Sequence, residues 1–150
     1  MNHTRYDAAR AVEAANAMIS GELSAVETYA VALDKFRTEP AVGSLRQIQA
    51  DHQAFAEELT TIVRQSGGIP ALKSGTWGNI VVLVETSAAL FGEDSAITAL
   101  ATGEKLGREL YEESLSKDEF SPEVRQLAVE KVLPALERHL TTLEAIKDSE

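Results

Sequence analysis

Four stretches of the chain carry apolar residues at alternating spacings of three and four, and each seam is broken at an inward position by a glutamate or a histidine. Such spacing lays a stripe along one side of an α-helix; a half-buried strand would instead alternate every second residue. The first seam runs Val12, Ala15, Ile19, Glu22, Val26, Tyr29, Leu33 and Phe36, and the second Leu45, Ile48, His52, Phe55, Leu59 and Ile62. The third reads Ile97, Leu100, Glu104, Gly107, Tyr111 and Leu115, and the fourth Ala128, Val132, Ala135 or Leu136, His139, Leu143 and Ile146. Four stripes in one chain bury themselves best against each other, which predicts an all-α four-helix bundle.

Boundary signals place the helices at about residues 5–38, 44–66, 94–116 and 122–147. Thr4 with Asp7 and Ser44 with Gln47 have capping-box spacing, and Asp94 and Ser121 are N-cap residue types. Glu39-Pro40 with Gly43 reads as the end of the first helix, and Gly67-Gly68-Ile69-Pro70 as the end of the second. Pro122 and Glu123 suit a first turn, one by its fixed φ and the other by its charge. The short first and third links imply two antiparallel hairpins. The apolar stretch 76–91 between them, closed by Gly92, is expected to be a short crossover helix, because a lone strand would leave its backbone unpaired.

With 150 residues and 44% apolar side chains the chain supports one core, so residues 1–150 are expected to form a single domain. A net charge of −10 with no cluster of Lys and Arg excludes a nucleic-acid surface and favours cations as small partners. Without cysteine there is no disulfide, thiolate metal site or thiol chemistry. The charged first twenty residues do not read as an export signal, and the longest apolar run, residues 80–84, is too short to cross a membrane. A cytoplasmic protein without membrane contact is the expectation.

The segment GELSAVETYAVAL from Gly21 matches GEKLGRELYEESL from Gly103 at Gly, Glu, Glu, Tyr and Leu. Each copy puts a glutamate, Glu22 or Glu104, on the seam with a tyrosine, Tyr29 or Tyr111, two turns on. His52 and His139 follow on the partner helices, each trailed five residues later by Glu57 or Glu144, so the chain reads as a duplicated hairpin. Five residues turn a helix by about 140° off the seam, which places Glu27, Glu57, Glu109 and Glu144 in solvent. An unpaired carboxylate in an apolar core costs several kcal/mol. Glu22, His52, Glu104 and His139 are therefore expected to converge in mid-bundle. Two carboxylates and two imidazoles suit Fe, Mn or Zn, with no organic cofactor, and equally suit a metal-free polar layer that fixes helix register.

The segments NAMISGELSAVETYAVALDKF (residues 16–36) and QADHQAFAEELTTIVRQSGGIP (residues 49–70) resemble the ferritin-like superfamily, including bacterioferritin and rubrerythrin-like bundles. The closest likeness is to a bacterial family of ferritin-like four-helix-bundle domains. It implies a Glu from one helix and a Glu-x-x-His from the other in each hairpin, holding two irons. Carried across, Glu22, His52, Glu104 and His139 are the metal ligands, with Tyr29, Tyr111 and Gln49 beside them. Gln49 and Leu136 stand where the two bridging glutamates belong. Their loss argues against a standard ferroxidase and for a degenerate site. Asp51 and Glu137 adjoin the histidines but lie off the seam, unless Pro134 distorts the fourth helix. The resemblance implies a metal-binding protein in iron or manganese handling or oxidative stress; a homodimer or higher homo-oligomer is the separate expectation for its assembly. The competing expectation is a non-enzymatic interaction bundle.

Overall fold

The structure, a computed structural model, describes the backbone of residues 3–36, 39–74 and 92–149 and the side chains of residues 8–36, 40–74 and 92–149. Its elements are helical throughout: α1 (His3–Lys35), α2 (Glu39–Gln65), α3 (Glu93–Ser116), α4 (Pro122–Leu127), a π-helical segment (Ala128–Val132) and α5 (Leu133–Asp148). Among the described residues there is no strand. The expected crossover helix at 76–91 lies outside what is described, as do the side chains of the Thr4–Asp7 pair; Thr4, expected as an N-cap, is already inside α1, which begins at His3.

Helix ends differ from the sequence expectation in ways that follow from capping. Helix α2 begins at Glu39, five residues before Ser44. Pro40 starts this helix instead of stopping the one before, because a first-turn proline forfeits only an N–H that has no partner anyway. Gln47, expected in a capping box, donates to Asp51 Oδ1 at 3.1 Å. At α3 the N-cap is Gly92, with φ 89° and no side-chain cap, and Asp94 lies in the first turn beside Glu93, where both acids face the positive end of the helix dipole. Ser121 caps α4 as expected, its Oγ accepting from the Val124 N–H at 3.2 Å.

Helices α4 and α5 continue one another through the π segment, where the Leu133 N–H reaches back five residues to the Ala128 carbonyl. Pro134 follows at once. It has no N–H for the Glu130 carbonyl, so the regular ladder has to be broken at this point, and a wider turn absorbs the break. That turn alters the phase of everything after it, including His139.

The buried apolar residues divide into two clusters. One holds Ile19, Leu59, Tyr111 and Val132, and the other Phe36, Leu45, Leu100 and Leu143. Ordering these residues along the chain shows that α1 runs from the first cluster to the second, α2 and α3 both run back, and α4–α5 returns. Helices α2 and α3 therefore point the same way, and the link between them has to travel the length of the bundle. Its described beginning does so along α1: Asn16 binds the Ile69 carbonyl at 3.0 Å and the Ala71 N–H at 2.8 Å, and the Ser74 hydroxyl donates to Glu27 at 3.2 Å. Asn16 and Glu27 are about 16 Å apart along a helix rising 1.5 Å per residue. No helix among the described residues is long and apolar enough to cross a membrane.

Candidate metal centre

Between the two apolar clusters lies a polar layer to which α1, α2, α3 and α5 each contribute. Glu22 is 4% exposed, His52 4%, Glu104 4% and His139 2%, so the four seam residues are buried as their register requires. They also meet. His52 Nδ1 lies 2.6 Å from Glu22 Oε1, and its Nε2 lies 2.8 Å from Glu104 Oε2. His139 Nδ1 lies 2.8 Å from Glu104 Oε1. The imidazoles tilt against each other with centroids 5.0 Å apart.

The tyrosines are exchanged between α1 and α3. Tyr29 on α1 donates to Glu104 on α3 at 2.8 Å, and Tyr111 on α3 donates to Glu22 on α1 at 2.7 Å. Both rings are buried, and Tyr29 also stacks on His52 at 5.7 Å. Beside them a cavity of about 50 Å³ opens between α1 and α3, bordered by Gly21, Gly103 and Gly107 together with Glu22, Glu104 and the tyrosines. Small residues at these positions leave the space that a branched side chain would fill.

Charge in the layer follows from these contacts. Burial by itself would lower the His52 pKa, but the carboxylates of Glu104 and Glu22 outweigh it and hold the ring well above the ordinary imidazole value. His52 therefore donates from both nitrogens. Burial would likewise raise Glu104, yet the His52 charge and the hydrogen bonds from His139 and His52 keep it ionised far below the usual carboxylate range. Burial first, then the adjacent carboxylates Glu104 and Glu22, push Tyr29 and Tyr111 upward, so both keep their protons and remain donors.

Two residues fall elsewhere than spacing alone suggests. Gln49 does not enter the layer; its amide donates to the Val26 carbonyl at 3.0 Å, bridging α2 to α1. Asp51, which the helical angle turns away from the seam, instead has Oδ2 2.8 Å from His139 Nε2. The π segment ahead of α5 resets the phase at which His139 meets α2, and Pro134 was the one signal of it in the sequence. Glu137 does point away, taking the Arg108 guanidinium at 2.7 Å. Leu136 is 2% exposed and belongs to the apolar core, while Glu27, Glu57, Glu109 and Glu144 are exposed.

Ligand atoms of His52, Glu104 and His139 all lie within 4.8 Å of one another, a buried group that could hold a metal ion. Two imidazoles and a carboxylate, with a second carboxylate on Glu22, form a donor set suited to Fe, Mn or Zn. No family model, curated protein or solved structure matches the chain. What the fold and site define is a helical bundle with a buried Glu–His layer.

Proposed function

We propose that this chain is a ferritin-like bundle that binds one divalent transition-metal ion, Fe, Mn or Zn, through His52, Glu104 and His139 with Glu22 alongside. The observation that carries the reading is the convergence of three buried donor atoms within 4.8 Å. A bundle that needed only register would be served by one polar pair, whereas this one gathers donors from four helices. The parallel course of α2 and α3, with one long connection, supports a ferritin-like arrangement. One ion is the better fit than two. Gln49 and Leu136 supply no bridging carboxylate, and Glu22 with Glu104 balances the charge of a single divalent ion. Such an ion, when bound, supplies Lewis acidity and, for iron or manganese, a redox couple. The chain's residues hold it, exclude water and surrender ring protons on binding.

One observation favours a metal-free layer that serves only architecture. No buried side-chain nitrogen or oxygen lacks a hydrogen-bond partner among the described residues. Anaerobic titration of chelator-stripped protein with ferrous, manganous and zinc ions, each followed by thermal melting, separates the two readings. The metal reading expects one saturable equivalent and a stability gain of about 2.7 kcal/mol at a free concentration a hundredfold above Kd, both lost in His52→Ala. Absence of saturable binding for all three ions leaves the architectural reading.

A further inference from the structure

Asp51 is the part of the polar layer that reaches toward solvent on the side of α2 and α5. Its side chain is 27% exposed, against 5% or less for Glu22, His52, Glu104 and His139. Both its oxygens are engaged: Oδ1 accepts from the Gln47 amide at 3.1 Å and Oδ2 faces His139 Nε2 at 2.8 Å. The opposite ring nitrogen, Nδ1, faces Glu104 at 2.8 Å. A chain of contacts thus runs from exposed Gln47 through Asp51 and His139 to the core acid. His52 has no equivalent, because both its nitrogens are taken by Glu22 and Glu104. In the repeat, the residue corresponding to Asp51 is Arg138, which is exposed. The orienting carboxylate therefore occurs in one hairpin only.

A histidine that binds a metal through one nitrogen commonly donates its other N–H to a carboxylate, which fixes the tautomer and the ring plane and makes the ligand more basic. We propose that Asp51 is the positioning residue of the metal centre: it holds the Nε2–H of His139 and so presents Nδ1, beside Glu104, to the ion. This rests on the metal-binding reading above. It assigns the two histidines different tasks despite the duplication. Each ring lies between two acids and gives up one of them when an ion enters; His139 keeps Asp51, which stands outside the ligand set, whereas both partners of His52, Glu22 and Glu104, are themselves ligands.

The test uses the full chain and Co²⁺, whose visible absorption reports the ligand set. Asp51→Ala is expected to weaken Co²⁺ binding about ten- to a hundredfold and to shift the absorption bands, with Asp51→Asn, which retains an acceptor oxygen, recovering part of the affinity. In the Zn²⁺-loaded wild type, ¹⁵N spectra of the histidine rings are expected to show His139 protonated at Nε2, with that signature lost in Asp51→Ala. A purely structural Asp51 would change the melting temperature without moving the Co²⁺ bands or the tautomer. Wild-type binding with unchanged Kd, bands and tautomer in Asp51→Ala overturns the role of Asp51 and leaves the metal site standing. A wild type that binds no metal overturns both.

Discussion

The Tyr29 hydroxyl stands 2.8 Å from Glu104, the acid of the opposite hairpin, and Tyr111 reciprocates at 2.7 Å from Glu22. These crossed bonds tie α1 to α3 beside the cavity that separates the two helices. Removing either hydroxyl leaves a buried carboxylate short of a donor. Tyr29→Phe and Tyr111→Phe should each lower the unfolding free energy by about 1.5–3 kcal/mol, measured by urea denaturation. A loss below about 0.5 kcal/mol in both would mean that water in the cavity replaces the hydroxyl, and the crossed bonds would not be holding the helices together.

Glu104 accepts from three side chains, Tyr29, His52 and His139, whereas Glu22 accepts from two. Glu104→Ala therefore strands more buried polar groups than Glu22→Ala. The expected cost is about 3–5 kcal/mol for Glu104→Ala, with a smaller loss for Glu22→Ala. Chemical denaturation of the two variants side by side decides the order, and equal losses would contradict the view that Glu104 is the hub.

The layer also sets a pH window. Glu104 is held well below its unfolded value of about 4.3, so its contribution is present above that value and is lost as pH falls through the folded pKa. His52 is held well above its unfolded value of about 6.5, so its contribution is complete below 6.5 and drains away as pH rises through the folded pKa. Stability of the metal-free protein should peak between about pH 4.5 and 6.5 and decline on both sides. In Tyr29→Phe, which spares both groups, the window should persist; in His52→Ala the alkaline decline should flatten. An alkaline limb unchanged in His52→Ala would refute the assignment.

Backbone conformation predicts opposite outcomes at two helix ends of the same design. After α2, the Gly68 N–H bonds the Val63 carbonyl and the Gly67 N–H that of Arg64, with Gly67 at φ 86°. After α3, Glu119 and Asp118 repeat the pattern onto Ser114 and Leu115, but the left-handed residue is Asp118 at φ 54°. Asp118→Gly should raise stability by about 0.5–1 kcal/mol, and Gly67→Ala should lower it by about 1 kcal/mol. Thermal melting of the pair checks both signs.

Gly107 lies inside α3, and a Cβ there would meet nothing within 4 Å. Gly107→Ala should stabilise by about 0.5–1 kcal/mol through helix propensity alone. Destabilisation in a urea melt would mean that the cleft between α1 and α3 closes in solution more tightly than this open space shows.

How much of this was legible beforehand divides along a physical line. Helix identity and the four buried polar positions follow from periodicity, because a seam residue has to face the core whatever its partner. Helix ends were less legible. Pro40 can end one helix or begin another, and only the packing of Leu45 and Ile48 beyond it selects the second. Gln49 stands three residues before His52, the spacing of a ligand pair, yet its amide satisfies a backbone carbonyl of α1, a partner no spacing rule reveals.

By itself the sequence determined that four amphipathic helices would form and that Glu22, His52, Glu104 and His139 would be buried together, since both outcomes depend on local repeat and on the cost of unpaired charge. Only the tertiary structure decided which acid each tyrosine serves, that Asp51 rather than Glu137 joins the layer, and that Glu104 rather than Glu22 is its centre. Those choices turn on the phase of one helix against another. The π segment before Pro134 shifts that phase in α5, and Arg138 precedes His139 where Asp51 precedes His52, so the two hairpins build an asymmetric site.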